Sequence, residues 1–233
     1  VEGSAFGGAM VIEGGADATI YGCTFDSNEA IAREARGGAL FVDQAAADIE
    51  DVVFRNNFVL DIALEIDGEG GAMYAERDSN VVVRRSLFEG NEAALAGGAV
   101  YGGVSYEECT FRGNSGLQGG AGYVTLTPMV NPTYEACVFE ENRAFCLSTC
   151  QKDGGALWGE TIVTDCLFVG NEAFGRGGAV WGGEISGSTF LANRTTSPPD
   201  ETSNVEGGAA WGADLVGCTL AENEALGDRE SVV

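Results

Sequence analysis

Gly97-Gly-Ala-Val-Tyr-Gly-Gly-Val-Ser-Tyr-Glu-Glu-Cys-Thr-Phe-Arg-Gly-Asn-Ser-Gly-Leu-Gln118 is the shortest complete copy of a unit repeated along the whole chain. Gly-Gly-Ala occurs eight times, with its alanine at Ala9, Ala39, Ala72, Ala99, Ala121, Ala156, Ala179 and Ala209. A Phe with an Asn three residues later follows each copy. The pairs are Phe25/Asn28, Phe54/Asn57, Phe88/Asn91, Phe111/Asn114, Phe139/Asn142, Phe168/Asn171 and Phe190/Asn193, and the eighth unit has Leu220 with Asn223. Self-similarity at a short period is the signature of a solenoid.

Longer copies carry their extra residues at two places only. One lies between the Asn and the next Gly-Gly-Ala, as in Thr195–Glu206. The other lies between Gly-Gly-Ala and the Phe, as in Thr125–Thr133. These are loops grafted onto a constant coil. Pro128, Pro132, Pro198 and Pro199 all fall in them, which keeps proline out of the strands.

The columns of the unit define the frame. Five residues before the Phe stand Ile20, Ile49, Val83, Tyr106, Tyr134, Val163, Ile185 and Leu215. Two before it stand Cys23, Val52, Ser86, Cys109, Cys137, Cys166, Ser188 and Cys218. The alternation in Cys-x-Phe is that of a short strand with Cys and Phe on its buried face. Stacked in register, the units align Phe into one ladder and Asn into another. Each buried Phe contributes about 1.5–3 kcal/mol. The Asn follows the Phe strand where the coil must turn, and it suits turn dihedrals while bonding nearby backbone. The expected fold is all-β: a right-handed parallel β-helix of about eight coils, pectin-lyase-like. Residues 1–233 read as a single β-helix domain, a segment of a longer chain.

Composition narrows the partners. Acidic residues outnumber basic ones 36 to 12, His is absent, and the formal charge is −24. Nucleic acid and anionic membrane surfaces would repel such a chain. No apolar run approaches the roughly 18 residues of a membrane span, so no membrane insertion is expected.

The alternation of Gly97-Gly98-Ala99-Val100 with Phe111 and Asn114, and of their seven counterparts, resembles the repeats of chlamydial polymorphic outer membrane proteins and related surface β-helix proteins. The resemblance covers nearly the whole chain. It implies a β-helix displayed outside the cell for adhesion or for building a surface layer. The translocator barrel expected of that bacterial family has no counterpart in this sequence.

Chemistry is sparsely signalled. Polygalacturonase-like β-helix enzymes resemble each other through paired aspartates, a Gly-His-Gly and a basic pair. Without His that constellation is excluded, as are Ser-His and Cys-His pairs. Asp78, Arg84 and Arg85 lie close in sequence, with no carboxylate cluster beside them that would suit a lyase. The run Glu65-Ile-Asp67-Gly-Glu69 offers hard oxygens without the spacing of a known calcium loop. The expectation is therefore no enzyme, no dedicated metal site and no cofactor, with loosely bound calcium compatible with the charge. Five cysteines occupy the column before the Phe and are expected as free, packed thiols. Cys146 and Cys150 sit outside the frame at a spacing that can close a small loop, and a disulfide is expected there, in keeping with an oxidising, extracellular setting. The sequon Asn193-Arg-Thr195 uses an Asn of the ladder, which argues against glycosylation.

Partners are read on outward columns. Directly after the Phe come Asp26, Arg55, Glu89, Arg112 and Glu140, alternating in sign, and then Val169, Leu191 and Ala221. The apolar end suggests a covered surface. Two residues past each Gly-Gly-Ala stand Val11, Phe41, Tyr74, Tyr101, Tyr123, Trp158, Trp181 and Trp211, opposite Met10, Leu40, Met73, Val100, Gly122, Leu157, Val180 and Ala210. With the aliphatic column inside, the aromatics form an exposed stripe for glycan stacking or chain packing. With it outside, they are a second core ladder. The functional expectation is a non-catalytic, structural or adhesive module of an extracellular cell-surface protein or filament. Its partners would be other chains, packed laterally or end to end, or surface glycans. A carbohydrate-binding module is the alternative, and a polysaccharide lyase or hydrolase comes after it.

Overall fold

The computed structural model describes residues 3–62, 68–125, 131–145, 152–197 and 205–227. They form the expected fold, a right-handed parallel β-helix of about eight coils. The coil that starts at Gly97 shows the plan. It contributes Val100–Tyr101, Ser105–Glu107, Thr110–Arg112 and Ser115–Gly116, one strand to each of four eight-stranded sheets. Each strand pairs in parallel with its counterparts one coil before and one coil after. Phe88, Phe111 and Phe139 are register partners, as are Tyr74, Tyr101 and Tyr123. A fifth, three-stranded sheet joins Ser4–Phe6, Glu34–Arg36 and Gly68–Glu69 ahead of the Gly-Gly-Ala motifs, and single bridges Glu69–Ala96–Gln118 extend it.

The Gly-Gly pair has two distinct causes. The first glycine adopts a left-handed backbone, with φ of +63° at Gly97 and +67° at Gly177, where a side chain is strained. The second lies so close to the next coil that a Cβ on Gly98 would overlap the carbonyl oxygen of Gly120. The alanine that follows is fully buried from Ala39 to Ala179.

Two turn columns bend each coil. One runs through Gly22, Asp51, Arg85, Glu108, Ala136, Asp165, Gly187 and Gly217, all at positive φ. The other occupies the position just before the ladder Asn, at Ser27, Asn56, Gly90, Gly113, Glu141, Gly170, Ala192 and Glu222. The left-handed residue is thus the neighbour of the Asn rather than the Asn itself, a correction to the turn role expected for that amide. What the Asn supplies is hydrogen bonding. Asn57 donates from its backbone N–H and from Nδ2 to Asn91 Oδ1, at 3.0 and 2.9 Å, and from Nδ2 to the Phe25 carbonyl at 3.1 Å. The same pattern runs unbroken from Asn28 to Asn223. Burying these amides costs little because their donors are satisfied coil to coil.

Inside, the Phe ladder stacks with ring centroids 4.7–4.9 Å apart, and Phe54 to Phe190 are fully buried. Tyr106 and Tyr134 fill the column that elsewhere holds Ile, Val or Leu. Gly122 makes room for them, since a Cβ there would lie 2.6 Å from the Tyr134 hydroxyl. The buried Cys column is realised at Cys109, Cys137 and Cys166. At the ends Cys23 is exposed and Cys218 half-buried, and all five are free thiols. The other thiols beside it, then burial, push the Cys137 pKa far up, so it packs as a neutral hydrophobe.

Candidate interaction faces

The aliphatic column faces inward. Leu40, Met73, Leu157 and Val180 have no exposure, and Val100 has 1 %. The aromatic column is therefore on the outer side of its sheet, yet it is not an open stripe. Phe41 and Tyr74 are buried, at 6 % and 5 % exposure. Tyr101, Tyr123, Trp158, Trp181 and Trp211 are half-buried. This corrects the expected exposure, and the cause is the preceding segment. Arg36 places its guanidinium 5.1 Å from the Tyr74 ring centre and 6.0 Å from that of Phe6, and pairs with Glu34, Glu69 and Glu76.

The rings stack on one another. From Phe6 through Phe41, Tyr74, Tyr101, Tyr123, Trp158 and Trp181 to Trp211, successive centroids lie 4.5–5.5 Å apart with planes within 22° of parallel. Phe6 was not among the expected members. It takes the place left by Val11, the one non-aromatic residue in the column, and that gap was the available signal. Each inner ring has both faces against neighbours and turns only its edge outward. Sugar stacking needs an open face, so the column offers no row of sugar platforms.

The polar ends of these rings differ. Tyr74 Oη donates to Glu76 Oε1 at 3.5 Å, and Trp211 Nε1 to Glu206 Oε2 at 2.8 Å. Burial first, then the charge of Glu69, raises the pKa of Tyr74 and Tyr101, so both hydroxyls stay protonated. Among the described residues, the buried indole nitrogens of Trp158 and Trp181 have no hydrogen-bond partner. Arg176 lies over Trp211 at 4.3 Å and is held by the buried Asp153 at 2.7 Å.

The column after the Phe behaves as two surfaces. In the first five coils Arg55 pairs with Asp26 at 2.8 Å, and Arg112 with Glu89 and Glu140 at 3.4 and 3.0 Å. On the neighbouring sheet Arg84 bridges Asp48 and Glu107, and Arg85 is held by Glu50 and Asp51. Both arginines near Asp78 are thus engaged in ladders. In the last three coils the same faces carry Val169, Leu191, Leu167, Ile162 and Val216, the last three 36 %, 41 % and 69 % exposed. A shallow recess of about 310 Å³ lies there between Ile162, Glu184, Ile185, Ser186, Asp214 and Val216. On the Asn-side sheet Glu172 holds Arg143 and Arg194 at 3.0 and 3.1 Å at the edge of a recess of about 360 Å³.

Cys146 and Cys150 lie outside the described residues, as do Glu65 and Asp67. Glu69 is described and pairs with Arg36 at 3.8 Å beside the ring stack. Asn193 is fully buried in the ladder, which leaves its amide closed to glycosylation. Among the described residues, no group of three or more His, Cys, Asp or Glu side chains is placed to hold a metal ion.

No curated protein and no solved structure matches the chain. A family model described as "Right handed beta helix region" matches residues 7–195. The match spans most of the sequence and runs through the motifs whose stacking has just been described. The chain belongs to the right-handed β-helix family.

Proposed function

We propose that this chain is a non-catalytic structural or adhesive segment of an extracellular cell-surface protein or filament, and that it packs laterally against another protein chain through the outer face of its last three coils. The observation that carries this reading is the change of outward column from charge-paired to apolar, at Ile162, Leu167, Val169, Leu191 and Val216. Exposed apolar side chains gathered on one side of a highly charged molecule favour a covering partner. The likeness of the Gly-Gly-Ala and Phe-x-x-Asn units to those of chlamydial surface proteins supports the same reading. Elsewhere the net charge of −24 keeps copies apart, which confines contact to that face or to cation-bridged edges.

Replacing Val169 by Arg and Leu191 by Glu continues the alternation begun at Asp26 and removes the apolar surface. The native protein is expected to associate in sedimentation experiments and to appear as assemblies in negative-stain micrographs, with or without calcium. The double variant is expected to be monomeric with an unchanged circular dichroism spectrum. Identical assembly of the two would overturn the assignment of the face. Binding on a glycan array, or cleavage of acidic polysaccharides, would replace the structural reading itself.

A further inference from the structure

We propose that the chain covering the last three coils is a second copy of this one, set antiparallel about a two-fold axis that runs along the strand Thr189–Leu191. The inference rests on the lateral packing proposed above and adds the partner's identity and orientation.

The surface itself is uniform. The strands Leu167–Val169, Thr189–Leu191 and Thr219–Ala221 lie side by side, and Phe168 and Phe190 at their centres are fully buried. Their outward side chains form two columns, Leu167, Thr189 and Thr219 beside Val169, Leu191 and Ala221. None of the six is charged. In both columns the side chain from the sixth coil is larger than the one from the eighth.

Symmetry restricts how such a face can meet itself. A two-fold along the strand keeps the position along the strand and reverses the order of coils. Leu191 then faces its own copy, Val169 faces Ala221 and Leu167 faces Thr219. Large side chains meet small ones, and no charge enters the contact.

A two-fold along the rod keeps the order of coils and exchanges the columns. It would press Asp26, Arg55, Glu89, Arg112 and Glu140 onto Thr24, Val53, Leu87, Thr110 and Val138 of the second copy. Charges already paired within their own chain would leave water and gain no new partner, which is unfavourable. Moving the crosswise axis to the sixth coil would set Glu140 against Leu191. Only the axis through Leu191 brings all six uncharged side chains together and keeps charges out. It also sends the charged parts of the two rods in opposite directions, which limits repulsion between chains of formal charge −24. The arrangement closes after two chains. Three coils span about 14 Å of rod, a small contact beside the roughly 800 Å² per partner of a stable interface, so the pair is a weak one.

The test measures a distance and a charge swap on the 233-residue chain at high protein concentration. Cys23 is exposed in the first coil and takes a spin label, while Cys109, Cys137 and Cys166 are buried. Cys146, Cys150 and Cys218 are changed to Ser. Cys23 lies six coils from the axis, so labels in the antiparallel pair should stand about 58 Å apart along the rods. A two-fold along the rod would set them side by side. Val169→Glu and Ala221→Arg each place a lone charge in the contact and should weaken association about tenfold in sedimentation equilibrium. Together they face each other across the antiparallel axis and should restore it. They stand two coils apart within one chain, with Leu191 between them. A monomer at every concentration would overturn the lateral packing and this arrangement together. Labels side by side, a double variant no better than the single ones, or growth beyond two chains would overturn the antiparallel pair and leave the lateral face standing.

Discussion

The first five coils and the last three have nearly the same interior and different exteriors. Inward, both present Ala after Gly-Gly, a Phe ring and a ladder Asn, with Phe111 and Phe168 equally buried and Asn114 and Asn171 bonded alike. Outward, Arg112 sits between Glu89 and Glu140, whereas Val169 and Leu191 have each other, Glu140 and Ala221 as register partners. Register is thus enforced from within by shape and amides that cannot slip, and the outer column is free to vary. Charge alternation adds little energy per pair but opposes a shifted register, since a slip would set like charges together. The last coils lack that safeguard on the sheet after the Phe and keep charge pairing only on the Asn-side sheet and at Asp153–Arg176 among the described residues. What they gain is a surface that water does not favour.

The comparison can be broken from the inside first, where the largest effects are expected. Gly98→Ala and Gly178→Ala place a Cβ against the carbonyl oxygens of Gly120 and Gly208, backbone atoms that cannot move independently. Each should cost about 3 kcal/mol or more in urea unfolding, equally in the two regions. A tolerated alanine at either position would remove close coil approach as the reason for the second glycine.

Next in size is the amide ladder. Asn114→Ala and Asn171→Ala each leave a neighbouring buried amide with a lost partner, for an expected loss of about 1–3 kcal/mol. An unchanged melting temperature for either would take the ladder out of the account of stability.

The outer column should respond differently in the two regions. Arg112→Ala is expected to cost only about 0–1 kcal/mol, and less in high salt. The double change of Val169 to Arg and Leu191 to Glu should leave folding nearly unaltered while abolishing association. If salt strengthens the effect of Arg112→Ala, its pairing with Glu89 and Glu140 is not electrostatic in origin.

The smallest expected effect is a pH dependence confined to the charged region. The hydrogen bond from Arg55 holds the Asp26 carboxyl below its ordinary value of 3.8. A lowered folded-state pKa stabilises the fold above the unfolded value, and this contribution is lost as the pH falls through the folded one. Asp26→Asn should therefore slightly lower the melting temperature at neutral pH and leave it unaltered below the folded-state pKa, which flattens the acid limb of the profile. A steeper acid limb in the variant would reverse the assigned sign.

The coil, its strands and both ladders were legible because one-dimensional repetition maps directly onto spatial stacking. Phe111 must lie on Phe139 once the units are in register, whatever the loops do. The turn geometry was less legible: the left-handed φ belongs to Glu141 rather than to Asn142, whose amide is engaged with Asn171 of the next coil. The aromatic stripe was half legible. Its position outside the aliphatic column followed from alternation. Its burial did not, because Arg36 and Phe6 reach it from the position just ahead of Gly-Gly-Ala, where the residue type changes from coil to coil.

Sequence alone therefore determined the eight-fold repeat, the parallel stack, the Phe and Asn ladders and the division of the outer column into charged and apolar parts. These depend on period and residue type, which a linear pattern carries in full. Only the tertiary structure decided that the rings of Tyr101, Trp158 and their neighbours turn edges rather than faces to solvent, and which indole N–H meets a carboxylate. Ring tilt and proton acceptors depend on side-chain torsions and on loops of unequal length. The repeat does not encode either.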